Sequence, residues 1–511
     1  MLSKSKYTSG LQCPRLLWFK CRKPSELPPV SEMAKMKFEQ GSEIGVLAQS
    51  LFADGITINH DNFMGGITST QNALYKRLPI FEAALHEKNR NLYSRADILA
   101  PGQDESWNIY EVKSAASLKS EYIDDIAFQK YVYQACGLTI SNCSIIHINT
   151  KYSRQGEIIP SELFKIENVD EKVESLFPEI EANIDWQNQI IGIDSAPPIQ
   201  LGTCCSHPYD CPLKEKCWSI VPPDSVFDLS GGHRLPSELW KQGIAYLKDI
   251  PLEYPELSEK QKNQIMAYRQ QQPIIQREKI AEWLDGLKYP LYYLDFETYD
   301  TSVPLFDGSH PYQKIPFQFS LHIQNNPEGP VEHISYLADG RDDNRNEISQ
   351  KLQENLGDHG SIVVYFDQFE KKVIRELSEL FPFLNEWAQK TIERIVDLMD
   401  PFALQYYHSH LQKGSSSIKK VLPSITDLSY KDLSIENGEQ ASFLFTRIVL
   451  GKASEEEEKQ TRADLIDYCR LDTLAMVEIV RSLYKIARGE PSKNNPERPK
   501  PHEQLKFQLD I

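Results

Sequence analysis

Tyr292-Tyr293-Leu294-Asp295-Phe296-Glu297-Thr298 is an apolar run broken by two acids spaced two apart. Side chains at that spacing share one face of a strand, so the run predicts a buried strand presenting both carboxylates together. Burying such a pair is costly unless a cation lies between them. Far downstream, Tyr468-Cys469-Arg470-Leu471-Asp472 sets Tyr468 and Asp472 at i,i+4 on one face of a long helix expected from about Glu455 to Ala487. Runs of strand type at 291–297, 315–323 and 361–366, then helices near 369–380 and 383–390, predict an α/β domain over 289–490.

A second carboxylate set has a different design. Leu92 to Leu99 and Trp107 to Lys113 read as strands joined through Ala100-Pro101-Gly102, with Asp97 on the first and Glu111-Val112-Lys113 on the second. Glu111 and Lys113 point the same way, and Asp97 on the facing strand can meet Glu111 around one divalent ion. Lys113 then lies beside an attacked phosphate, where it orients water and offsets developing charge. A helix from Tyr122 to Ala135 sets Asp125, Gln129 and Tyr133 on one face, and Gln129 and Tyr133 are expected to reach the substrate backbone. A helix from Gly41 to Phe52 and a strand from Ser144 to Asn149 flank this set.

Between the two sets, Cys205, Cys211 and Cys217 follow one another on a Pro-containing loop. Three thiolates need a fourth ligand for a tetrahedral set, and Cys13 in Gly10-Leu11-Gln12-Cys13-Pro14 is the best candidate, with adjacent Cys204 as substitute. Zinc or an iron–sulfur cluster fits such ligands. Cys21, Cys136, Cys143 and Cys469 read as dispersed buried cysteines.

Residues 10–220 resemble the RecB/AddB-type PD-(D/E)XK nucleases, including the iron–sulfur branch also found in CRISPR adaptation. The resemblance implies Asp97, Glu111 and Lys113 as the catalytic core, Gln129 and Tyr133 as substrate-binding, and a 4Fe–4S cluster on Cys13, Cys205, Cys211 and Cys217. It has one departure: Gly45 stands where that group commonly carries a metal-binding His, so Glu43 or Glu82 is the alternative carboxylate. Residues 289–488 resemble DnaQ-like DEDD exonucleases in their tyrosine variant. That implies an RNase H-like domain in which Asp295, Glu297, Asp472 and a fourth acid hold Mg²⁺ or Mn²⁺, while Tyr468 positions the attacking water. Within Val364-Tyr365-Phe366-Asp367-Gln368-Phe369-Glu370, the fourth acid is Glu370, with Asp367 as alternative and Asp397 outside the set. The order of pieces is similar to an uncharacterised bacterial family joining the two nuclease types.

At 511 residues, two or three domains are expected: 1–220, a helical connector over 221–288, the domain over 289–490, and a tail over 491–511. The net charge of −17 argues against a protein that coats nucleic acid through bulk positive charge, but not against an enzyme gripping it locally. No stretch approaches the ~20 apolar residues of a membrane span, and the polar first residues predict a cytoplasmic protein. The expectation is a divalent-metal-dependent hydrolase acting on DNA, single-stranded or with free ends, alongside a helicase or a repair or defence partner. The alternatives are an RNA exonuclease, or a nucleic-acid-binding scaffold whose first site is inactive.

Overall fold

The computed structural model describes residues 1–59, 62–327 and 329–492, so the expected tail lies, from 493 onward, outside the described residues. The chain is mixed α/β and divides into two compact units. The first comprises Met1–Phe227, Gly231–Tyr246 and Tyr299–Ile315; the second comprises Asp228–Ser230, Leu247–Thr298 and Pro316 onward. The stretch expected as a separate connector is thus shared between the units. Its helix Arg234–Lys241 belongs to the first, and Glu259–Gln270 and Arg277–Asp285 to the second. These helices bury Leu239, Ile265 and Ile280, and apolar positions of that kind need a core to pack against.

In the first unit, seven strands form one sheet: β1 (Leu2–Ser3), β2 (Ile56–Thr57), β3 (Ile80–Glu87), β4 (Leu92–Pro101), β5 (Trp107–Lys113), β6 (Ile140–Ile148) and β7 (Phe164–Asn168). The order is β2-β3-β4-β5-β6-β7, with β1 parallel to the start of β4. Alternation along each strand sorts side chains into two layers. Ile109 and Ile145 join Leu85, Ala96 and the helices Ser120–Ala135 and Asp170–Gly192, whereas Tyr110, Val112 and Ile146 join Ile44 and Ala48 from the helix Glu32–Gln49. Glu111 shares the Ile109 face, under the helix that carries Gln129.

The second unit holds a two-stranded sheet, β8 (Ile274–Ile275) with β14 (Tyr407–His408), and a five-stranded sheet. The latter consists of β9 (Leu291–Tyr299), β10 (Ile315–Gln324), β11 (Val331–Leu337), β12 (Ser361–Val364) and β13 (Ile395–Asp397) in the order β11-β10-β9-β12-β13. β11 is antiparallel to β10; β12 is parallel to both β9 and β13. Central β9 is apolar on both faces because both are covered. Tyr292, Leu294 and Phe296 pack on Ile348, Leu352 and Ile374, while Leu291 and Tyr293 pack on Ala475, Met476 and Val480 of the last helix, Glu455–Ala487. Asp295 and Glu297 fall on the Tyr293 face and so look toward that helix. Among the described residues no helix is long and apolar enough to cross a membrane.

Candidate carboxylate sites

In the first unit the β4–β5 ladder runs from Pro101–Trp107 to Ile98–Tyr110 and stops one pair short of Asp97 and Glu111. The Asp97 carboxylate takes over there: its Oδ2 accepts the Val112 backbone N–H at 2.7 Å. Glu111 is 2% exposed, and its Oε1 accepts from Lys4 Nζ at 2.6 Å and Lys113 Nζ at 2.8 Å. Gln129 Nε2 donates to its other oxygen, and Lys113 also reaches Asp125 Oδ2 at 2.6 Å. Burial and the Glu111 charge push Asp97 up to about 7. Burial also drives Glu111 upward, but the Lys113 and Lys4 ammoniums outweigh it and hold the carboxyl at about 2. The pair therefore separates into one ready anion and one acid that shares its proton near neutrality.

Lys4 is a residue that sequence reasoning missed. Pairing of Leu2 and Ser3 with Leu92 and Tyr93 pins the N-terminus to β4, and the helix Lys4–Gln12 begins at once, so its first side chain reaches Glu111. A lysine among polar N-terminal residues carries no local signal of that role.

Gln129 and Tyr133 depart from expectation. Gln129 is fully buried and serves to hold Glu111. Tyr133 is fully buried too; its hydroxyl donates to Ala83 O and accepts the Ala96 N–H at 3.0 Å. The helix lies flat on the sheet, so its i,i+4 stripe points into strands rather than outward to a substrate. Glu82, with φ +58, pairs through its carboxylate with Arg95 Nε at 2.9 Å. A Cβ placed on Gly45 meets nothing within 4 Å.

Cys13 separates the helices Lys4–Gln12 and Pro14–Arg22 and joins Cys211 and Cys217 in an apolar pocket with Leu16, Phe19 and Leu213. Gln12 Nε2 secures the facing loop by donating to Cys204 O at 2.8 Å and Tyr209 O at 2.7 Å. The Cys204 Sγ donates to Gln200 O at 3.7 Å, and its proximity holds Cys13 down at about 6 and Cys205 at about 5. Burial pushes Cys211 up to about 11. Among the described residues no three of these sulfurs all lie within 4.8 Å of one another.

In the second unit, β10 fixes how the last helix sits. Gln318, Ser320 and His322, two apart on one buried face, bind the Leu465 carbonyl (2.9 Å), the Thr473 hydroxyl (2.7 Å) and again Thr473 (2.8 Å). That rotation aims Tyr468, Cys469 and Asp472 at β9. Ligand atoms of Asp295, Glu297 and Cys469 all lie within 4.8 Å of one another. Cys469 is thus not a dispersed core cysteine, as its sequence context suggested; its Sγ is 3.5 Å from Asp295 Oδ2.

Asp472 Oδ1 accepts the Tyr430 hydroxyl at 2.6 Å, and Lys419 Nζ donates to the Tyr468 hydroxyl at 3.1 Å while lying over both tyrosine rings. Glu370, on the helix Asp367–Leu380, is 1% exposed, and its Oε2 has no hydrogen-bond partner. Burial, followed by repulsion from neighbouring acids, raises Asp295, Glu297 and Glu370 well above the carboxylate range; burial takes Asp472 to about 6. Asp472, Glu297 and Asp295 lie near the Lys419 ammonium and Glu370 near Asp295, a set of oxygen donors that a divalent cation would draw into the ionised form. Asp367 is bound by Lys371, and Asp397 accepts the backbone N–H groups of Phe366, Asp367 and Met399, a capping role.

The family described as "Domain of unknown function (DUF2779)" matches residues 292–417, a span that takes in Asp295, Glu297 and Glu370 and ends before Tyr468. "Uncharacterized protein MG366 homolog" of Mycoplasma pneumoniae is 32% identical over 215 residues, 38% of this chain and 32% of that protein. "Uncharacterized protein MG366" of Mycoplasma genitalium is 28% identical over 221 residues, 40% of this chain and 33% of its own. "Uncharacterized protein UU173" of Ureaplasma parvum is 26% identical over 234 residues, 41% of this chain and 33% of its own. The chain therefore spans about a third of the length of the curated relatives it matches.

Proposed function

We propose that this chain is a metal-dependent nuclease hydrolysing DNA phosphodiester bonds. Its second unit is read as a 3′→5′ exonuclease of the DnaQ-like DEDD type in an RNase H-like fold. Its first unit is read as a PD-(D/E)XK site stapled by a 4Fe–4S cluster on Cys13, Cys205, Cys211 and Cys217. The observation that carries the reading is the meeting of Asp295 and Glu297 within 4.8 Å of the Cys469 sulfur, with buried Asp472 and Glu370 near enough for their charges to act on Glu297. Central β9, with β12 and β13 parallel to it and β10–β11 antiparallel, supports the fold reading for this unit. The β4–β5 hairpin with Asp97, Glu111 and Lys113 supports it for the other.

Asp295, Glu297, Glu370 and Asp472 would hold divalent cations, which would lower the pKa of the attacking water and neutralise charge at the leaving 3′-oxygen. Tyr468 stays protonated, because burial and the neighbouring acids raise its pKa, and so orients the water by hydrogen bonding instead of removing its proton. Lys419 holds that hydroxyl and offers positive charge to the phosphate. In the first unit Asp97 and Glu111 would hold a divalent ion, and Lys113 would orient the water.

The test is cleavage of end-labelled single-stranded DNA, duplex DNA and RNA with Mn²⁺, using wild type, Asp97→Ala, Asp295→Ala and the double variant. Asp295→Ala is expected to abolish processive shortening from the 3′ end; unchanged cleavage by both single variants sinks both assignments. RNA shortened in preference to DNA replaces the substrate in the proposal. A second reading makes the first unit a nucleic-acid-binding scaffold, favoured by Glu111 already being neutralised by two ammoniums. Its signature is wild-type cleavage by Asp97→Ala beside a dead Asp295→Ala.

A further inference from the structure

We propose that Cys469 is a metal ligand, and that the pocket it forms with Asp295 and Glu297 takes a borderline-soft divalent cation such as zinc more tightly than magnesium. The inference rests on reading this pocket as a metal centre, not on the phosphodiester chemistry. Three β10 side chains fix the rotation of the last helix and bring Cys469 onto the Asp295 side of β9. The thiol is fully buried, its sulfur 3.5 Å from Asp295 Oδ2, and one oxygen of Asp295 and one of Glu297 complete a set within 4.8 Å.

A packing cysteine needs no such company. Three potential ligand atoms that close are within reach of one ion, and an apolar side chain at 469 would spare Asp295 a thiol neighbour. Glu370 is the independent observation. Its Oε2 is buried, lacks a hydrogen-bond partner, and belongs to a carboxylate that feels the charge of Asp295. It is an unpartnered acceptor oxygen on a carboxyl that couples to the triad's Asp295, and buried polar atoms in native proteins are otherwise satisfied.

Ligand softness then decides the ion. Carboxylates alone suit Mg²⁺, Ca²⁺ or Mn²⁺, whereas one sulfur among oxygens shifts preference toward zinc and cobalt. Binding exchanges the thiol S–H for an S–metal bond and releases that proton to solvent, so affinity climbs with pH.

The experiment uses the full-length chain. The four clustered cysteines of the first unit also take such ions, so differences between wild type and Cys469→Ser are read. Zinc uptake is measured by equilibrium dialysis, alone and against excess Mg²⁺, and the cobalt forms are compared by absorbance. Wild type is expected to retain one equivalent of zinc more than Cys469→Ser, with a sulfur-to-cobalt charge-transfer band in the difference spectrum. Asp295→Asn should lose the same equivalent, while Mn²⁺ binding persists in Cys469→Ser.

Identical zinc uptake and identical cobalt spectra in wild type and Cys469→Ser overturn the proposal. Should the serine variant not fold, Cys469→Ala replaces it, and an undiminished sulfur band in folded Asp295→Asn overturns the proposal equally. Zinc bound through Cys469 in a protein that cleaves neither DNA nor RNA removes the nuclease function and leaves this inference standing. Cleavage with no Cys469-dependent zinc does the reverse.

Discussion

Lys4 and Cys469 show how a single residue's role is set by the chain that delivers it. Asp295, Glu297, Asp97, Glu111 and Lys113 were legible because two-residue spacing on a strand fixes a shared face whatever surrounds it. Lys4 was not, since its place depends on a two-residue strand pairing with residues about ninety positions away. Its ammonium also stabilises the charged form of Asp97 and Glu111. In an Asp295→Ala background, where the first site acts alone, Lys4→Gln is expected to lower cleavage by about a hundredfold, the loss typical of one preorganised electrostatic donor. Its acidic limb should move to higher pH, because both carboxyls then hold their protons more tightly, and Lys4→Arg should restore part of the rate. A pH–rate profile that does not move assigns Lys4 a purely structural part.

At the scale of elements, the strands and helices bearing the acids were readable from periodicity, and the last helix matches its expected bounds. The strands β3 and β11 were not read. Ile80-Phe81-Glu82-Ala83-Ala84-Leu85 carries alanines and lacks alternation, while β11, at the sheet edge, is mostly half-exposed and mixed in polarity. The sheet they belong to is what gives the helix stripes their meaning. Tyr133 ties Ala83 to Ala96, so Tyr133→Phe leaves a buried carbonyl and N–H unpaired and should cost about 1–3 kcal/mol by denaturant titration. Its KM for DNA should stay unchanged, whereas a substrate-binding tyrosine would raise KM without loss of stability. In the second unit Thr473 accepts or donates to both Ser320 and His322. Thr473→Val keeps the shape and breaks both bonds. Loosening the helix that carries Tyr468, Cys469 and Asp472 should weaken Mn²⁺ binding and cleavage together, measured by titration calorimetry and by rate.

Over the whole molecule, buried carboxyls impose a dependence on pH whose sign can be worked out. Asp472 moves from an ordinary 3.8 to about 6 on folding, and Asp97 from 3.8 to about 7. A raised carboxyl binds its proton more tightly when folded, so each stabilises the native state at low pH. That contribution declines as pH climbs from the unfolded value through the folded one. Glu111, held at about 2, acts with opposite sign but only below its ordinary 4.5. In chelated protein the Asp97 and Asp472 contributions should therefore fall away between about pH 4 and 7, and those of Asp295, Glu297 and Glu370 over a range reaching higher. His322 and His408, held down at about 4 by burial, act with opposite sign between about pH 4 and 6.5. A bound cation takes the place of the protons, so Mn²⁺ should flatten the decline and raise stability most at the upper end. Apparent melting temperatures with chelator and with Mn²⁺ across this range provide the measurement. Asp97→Asn and Asp472→Asn should each remove part of the chelated slope, one from each unit. A chelated slope left unchanged by both Asp97→Asn and Asp472→Asn would mean that these acids are solvated and ionised in the folded chain. The buried pockets would then hold their charge without metal, and the cation-centred reading of both sites would fall with them.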